Sequence, residues 1–173
     1  MASKIKVDQI QTIDGTGTIA LQNQLSGMTS ASMPTGSTLQ VKQQVFSTFT
    51  QIASTSYVDT GLTLAITPLS TSSKILVIVG MQCNINNGGH QWMNSRLVRG
   101  STTVKSYDAM LAAESGNPNA TVGWNFLDSP NTASAITYKI TMRGRDSSNI
   151  RINNYYDTNG NSCSTLTLIE IAG

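Results

Sequence analysis

The sequence predicts an all-β protein, an antiparallel jelly-roll sandwich preceded by a short extended segment. Two observations carry that expectation. From Leu39 onward, short runs alternate apolar and polar residues with a period of two, and Gly, Pro, Asn and Ser clusters punctuate them at regular intervals. No stretch shows a sustained helical period, and the single candidate for a helical turn is Tyr107–Glu114. Eight or nine such strands with uneven loops favour a jelly roll over a simple meander.

Residues 1–25 form the extended segment. Their aliphatics are isolated: Ile5, Val7, Ile10, Ile13, Ile19, Leu21 and Leu25, with a turn at Asp14-Gly15 and Thr16-Gly17. Two half-buried strand pieces of this length do not make a stable unit, so their apolar faces need a partner surface. Residues 26–38, SGMTSASMPTGST, read as a linker without period.

The body spans residues 39–173. Leu39 and Val41 open a strand running towards Phe49. Leu62, Leu64 and Ile66 alternate before Pro68 stops the strand. The unbroken run Ile75-Leu76-Val77-Ile78-Val79 reads as a strand buried on both faces. Met93, Leu97 and Val104 belong to weaker strands around a turn at Arg99-Gly100-Ser101. Val122, Trp124 and Phe126 alternate, with Trp124 assigned to the core. Ile136, Tyr138, Ile140 and Met142 give the cleanest period-2 signal in the chain. Ile150 and Ile152 point inward with Arg151 and Asn153 outward. Asn159-Gly160 is a hairpin turn, since both residues accept positive φ. In the last strand, Thr165 to Ile171, Leu166 and Leu168 face one way and Thr167 and Ile169 the other.

Composition narrows the function. Charged residues make up 12% of the chain and the net charge is +2, with no Lys/Arg stripe to neutralise phosphates, so no nucleic-acid partner is expected. The densest basic stretch, Arg143-Gly144-Arg145, reads as a charged strand end facing water. No apolar run approaches the ~18 residues of a membrane span, so no membrane insertion is expected. No signal peptide is read at the N-terminus, which implies synthesis in a cytoplasm. Cys83 and Cys163 form no CxxC and read as small buried thiols, unpaired in a reducing compartment.

The residues that chemistry would need are missing as patterns. The one histidine, His90, has no second His or Cys at metal-ligand spacing, the nine acids are scattered, and no phosphate-loop or zinc-protease motif occurs. The expectation is therefore a non-enzymatic protein with no cofactor and no metal, acting by contact. His90, Trp92, Tyr155 and Tyr156, near loops and strand ends, are the candidates for a surface or host contact. Tyr155 and Tyr156 are adjacent on a strand and must face opposite sides.

Three segments carry a resemblance to a known group of proteins. The opening SKIKVDQIQTIDGTGTIALQNQL, the linker MPTGSTLQV and the ending STLTLIEIAG resemble virion proteins of tailed bacteriophages, of the kinds described as tail-fibre-like, head-fibre or decoration proteins. The resemblance covers the whole chain and is most specific in residues 3–25 and the last ten. It implies that residues 1–25 are a shared virion-attachment segment, with Ile5, Val7, Ile10, Ile13, Ile19 and Leu21 as docking groups. It implies that the body is a trimeric jelly roll related in shape to the tumour-necrosis-factor fold. The partners it implies are further copies of the chain, other virion proteins (capsid, portal or adaptor, or tail) and a host-surface glycan. A short homotrimeric fibre or spike in the virion is the first function implied; a capsid decoration or cement protein is the alternative. No catalytic residue is carried over.

Overall fold

The computed structural model describes residues 33–86, 91–114, 116–145, 149–153 and 162–173. The predicted attachment segment, His90, Tyr155, Tyr156 and the Asn159-Gly160 turn lie outside the described residues. Ten strands are formed among the described residues: β1 (Thr38–Phe46), β2 (Thr50–Ala53), β3 (Val58–Ile66), β4 (Lys74–Asn86), β5 (Gln91–Arg99), β6 (Thr102–Ala113), β7 (Asn119–Asp128), β8 (Ile136–Gly144), β9 (Asn149–Ile152) and β10 (Ser164–Ile171).

They build two antiparallel sheets packed face to face as a jelly-roll sandwich, the predicted fold class. The first sheet is centred on β4. One edge of β4 pairs with β7; along the other edge β10 takes its first half and β9 its second. Beyond these, β1 flanks β10 and β2 flanks β9. The second sheet has the order β3-β8-β5-β6.

Alternation decides which side chains meet between the layers. Ile75, Val77, Val79 and Met81 of β4, with Leu166 and Leu168 of β10, pack against Leu62 and Ile66 of β3, Tyr138, Ile140 and Met142 of β8, and Met93 and Leu97 of β5; all are buried. Trp124 lies at the margin of this core, stacked on Tyr107 with ring centroids 4.4 Å apart. Gly61 has φ of +89° and breaks the register of β3 against β8; a Cβ there would come 2.9 Å from the Phe46 ring, so only glycine lets that ring close the sandwich.

Two buried carboxylates find partners. Tyr138, fully buried, donates to Asp128 Oδ2 at 2.7 Å, and Arg99 reaches the same oxygen at 2.6 Å. Burial first, and the Asp128 carboxylate second, push the Tyr138 phenol far above its usual range, so it remains a donor at every physiological pH. Tyr138→Phe is expected to cost about 1.5 kcal/mol, less than a broken ion pair because Arg99 keeps Asp128 satisfied; a denaturant titration against the parent protein reads it. Glu170, also fully buried, accepts from Leu69 N at 2.7 Å and from Gln40 Nε2 at 2.5 Å, tying the 67–70 turn to the sheet.

Four expectations are corrected. Tyr107–Ala113 is strand, not helical turn: Ser95 faces Tyr107 and Met93 faces Leu111 in the β5–β6 ladder, and cross-strand pairing outweighs the local Ala-rich preference. The first strand ends at Phe46, and a separate four-residue β2 follows. Asn153 is buried, with φ of +62°, rather than outward. Cys83 is buried but Cys163 is exposed; both are free. Burial pushes the Cys83 thiol up to about 12, so at pH 8 it stays protonated and inert. One alkylation per folded chain, on Cys163, is the expected result by intact mass; two fast modifications would contradict the burial of Cys83.

Candidate interaction surfaces

The outer face of the first sheet is the larger of two unusual surfaces. Its rows follow from the register. Val41, Ile169, Leu76 and Leu127 stand side by side across β1, β10, β4 and β7. The next row is Gln43, Thr167, Ile78 and Asn125, and the third is Val45, Thr165, Gly80 and Gly123. None of these twelve residues is charged. Gly80 and Gly123 face each other and leave the third row flat.

This face overturns the expectation that Ile75–Val79 is buried on both sides. Ile75, Val77 and Val79 are in the core, but Leu76 is half-buried and Ile78 is 40% exposed. Val41 and Val45 are 58% and 61% exposed. A continuous apolar run belongs on a strand covered on both faces. Here the described residues supply one cover, and the second face offers water an aliphatic row set among Gln, Thr and Asn. Scattered exposed aliphatics are ordinary; a contiguous set on one sheet face marks a contact surface.

The second surface lies at one end of the outer face of β3-β8-β5-β6. It holds Trp92, at the start of β5 and 41% exposed. Of the four contact candidates read from the sequence, Trp92 is the one that falls among the described residues. Beside it, Arg145 covers the Trp92 ring at 4.4 Å from the centroid, and Arg145 N donates to Trp92 O at 3.2 Å. Arg143 and Arg96 both lie over the Tyr57 ring, at 4.9 and 3.7 Å. The register explains the meeting: Arg143 faces Asn94, and Arg96 faces Thr141 two residues along. Arg143-Gly144-Arg145 is thus no bare strand end in water but one side of a basic, aromatic cleft.

A bulge shapes the other side. Between the pairs Met93–Leu111 and Ser95–Tyr107, Asp108, Ala109 and Met110 stand opposite the single residue Asn94. Ala109 takes φ of +52°, which its Cβ disfavours, and Asn94 Oδ1 accepts from Ala109 N at 2.9 Å to hold it there. The bulge turns Asp108 and Ala109 towards Trp92, Asn94 and Arg143, around a hollow of about 310 Å³. A second hollow of about 290 Å³ adjoins it, reaching Thr55 and Arg145.

Sequence reasoning misses Val41, Val45, Leu127, Tyr57 and Arg96 as contact residues. The run Ile75–Val79 carries the signal for the first face. Nothing local links Tyr57 to Arg96 and Arg143, because distant parts of the chain bring them together. Among the described residues no three His, Cys, Asp or Glu side chains are grouped as metal ligands.

No family model matches the chain, and no curated protein matches it. Among solved structures, a chain in the structure of infectious bursal disease virus Gx strain is similar over 79% of this chain, at 11% identity and a TM-score of 0.42. This chain spans 39% of that one. A likeness so remote adds nothing on function.

Proposed function

We propose that this chain is a structural protein of a tailed-phage virion, a short homotrimeric fibre or spike that acts by contact and not by catalysis. Residues 1–25 fasten it to the particle, and the jelly roll projects outward towards the host surface. The single observation that supports this most is the uncharged twelve-residue patch on the outer face of the first sheet, where the Val41-Ile169-Leu76-Leu127 row stands without cover among the described residues. Identical copies meeting there bury apolar area and leave no charge unpaired, and closure about a threefold axis uses the face without leaving an open end. The resemblance of the opening segment to virion-attachment segments supports the docking role of Ile5, Val7, Ile10, Ile13, Ile19 and Leu21.

Removal of residues 1–25 tests the division of labour. All ten described strands begin at or after Thr38, so the truncated chain is expected to fold and to keep its oligomeric mass while failing to join particles. Normal incorporation of the truncated protein, assayed on purified particles by protein stain, would end the attachment role.

A further inference from the structure

We propose that the cleft between Trp92, Arg143 and Asp108 binds an acidic saccharide, one whose negative charge is a carboxylate or a phosphate ester. This deepens the host-contact part of the proposed function by naming its residues and ligand chemistry; it does not require the trimer or the virion.

The charge arrangement comes first. Arg96 and Arg143 share the Tyr57 ring, so two guanidinium groups are held near one another in a chain with 11 basic residues in all. Among the described residues neither makes an ion pair; the two ion pairs found there are Arg99–Asp128 and Lys139–Asp59. Stacking on an aromatic face holds a guanidinium by its plane and leaves N–H groups on its edge to donate. Arg143 lines both hollows, and its planar fork matches a carboxylate or phosphate, which accept two parallel hydrogen bonds; Arg96 adds positive charge behind it across the Tyr57 ring.

The remaining lining argues for a sugar over a bare anion. Trp92, with Arg145 over one face of its ring, keeps 41% of its surface exposed, an indole wall for sugar C–H groups to pack on. Asp108, on the bulged strand, is an acceptor for hydroxyl groups and would repel a simple anion. A ligand with both an acidic group and neighbouring hydroxyls satisfies both sides at once. The strained Ala109, held by Asn94, fixes the spacing between them, and strain of this kind is retained where a site needs it. The two adjoining hollows are open and together accommodate a short oligosaccharide.

The test uses the full purified chain and isothermal titration or surface plasmon resonance. Polygalacturonate supplies the carboxylate, a phosphomannan the phosphate ester, and dextran the neutral control; a single-stranded oligonucleotide supplies charge without the sugar pattern. The proposal expects binding to at least one acidic polysaccharide, weakening with salt, and none to dextran. Which of the two binds identifies the acidic group. Arg143→Gln and Trp92→Ala should each weaken it at least about tenfold, as loss of a charge-assisted contact or a stacking wall does. Lys139→Gln removes the same charge outside the cleft and should leave affinity within about twofold, because an exposed charge at a distance is screened. Equal loss for Arg143→Gln and Lys139→Gln would overturn the site, as would equal affinity for the oligonucleotide or failure of both acidic polysaccharides to bind. Arg143 and Trp92 lie outside the core, and an unchanged circular-dichroism melt separates lost binding from lost fold. Failure here leaves the oligomeric mass untouched, and failure of the trimer leaves this binding untouched.

Discussion

If the proposed trimer forms, the parent is expected to sediment at about three times the 18.4 kDa chain mass, and Ile78→Asp is expected to convert it into folded monomers. In the single chain the change is mild. Ile78 already meets water and lies outside the buried core, so the monomer loses only strand preference, about 1 kcal/mol at most. In a trimer the same change sets a carboxylate from each copy into an uncharged surface of Val, Ile, Leu, Gln and Thr. Burial of an unpaired charge costs several kcal/mol per copy, which exceeds the margin of an ordinary interface. Val58→Asp is the matched control: another exposed aliphatic, but on β3 of the opposite sheet, and its mass should not change. Light scattering with in-line chromatography reads both. An Ile78→Asp protein that keeps the parent mass would remove the face from the interface.

Asn153→Ala is expected to destabilise the fold by about 3 kcal/mol. Asn153 and Ser164 meet beside β4 although ten residues separate them in sequence. Asn153 N donates to Gln82 O at 3.1 Å, and Gln82 N donates to Ser164 Oγ at 3.3 Å, so the two carry the ladder across the gap between β9 and β10. The Asn153 amide donates to Phe46 O at 2.8 Å and to Thr48 O at 3.1 Å, closing the matching gap between β1 and β2. Its Oδ1 accepts from Ser164 Oγ at 2.7 Å. Alanine deletes all three side-chain bonds, strands buried partners, and inherits φ of +62°. Asn153→Gly deletes the same bonds but relieves the backbone, so it should be milder by about 1 kcal/mol. Because the proposed assembly would tie apparent stability to concentration, the urea titrations belong on the Ile78→Asp background, where the chain is expected to be monomeric. Equal losses for Ala and Gly would show that the backbone conformation adds nothing.

Much of the sandwich is legible in the sequence because strand alternation is local. Ile136 to Met142 and Leu166 to Ile169 face as their period dictates. Tyr107–Ala113 misleads because Ala-Met-Leu-Ala-Ala carries no period of two; the bulge at Ala109 shifts its phase, and only the facing Asn94 side chain explains the bulge. The same alternation places Asn153 outward, and it fails there because the strand is interrupted. The surfaces are legible in halves. Ile75–Val79 announces two-sided burial, yet the described residues cover only the face of Ile75, Val77 and Val79. Trp92 and the Arg143-Gly144-Arg145 stretch are visible as residues, yet the meeting of Arg143 with Arg96 at Tyr57, and of Arg145 with Trp92, depends on the pairing of β8 with β5, which no local pattern encodes.

In the proposed virion, copies of this chain meet through the outer face of β1-β10-β4-β7. Electron cryo-microscopy of particles carrying the chain tests it most directly. The expected map holds three copies about one axis, with Leu76, Ile78 and Leu127 buried between them and Trp92 pointing away from the particle. Particles in which that face looks onto solvent, or in which the chain sits as isolated single copies, would contradict it.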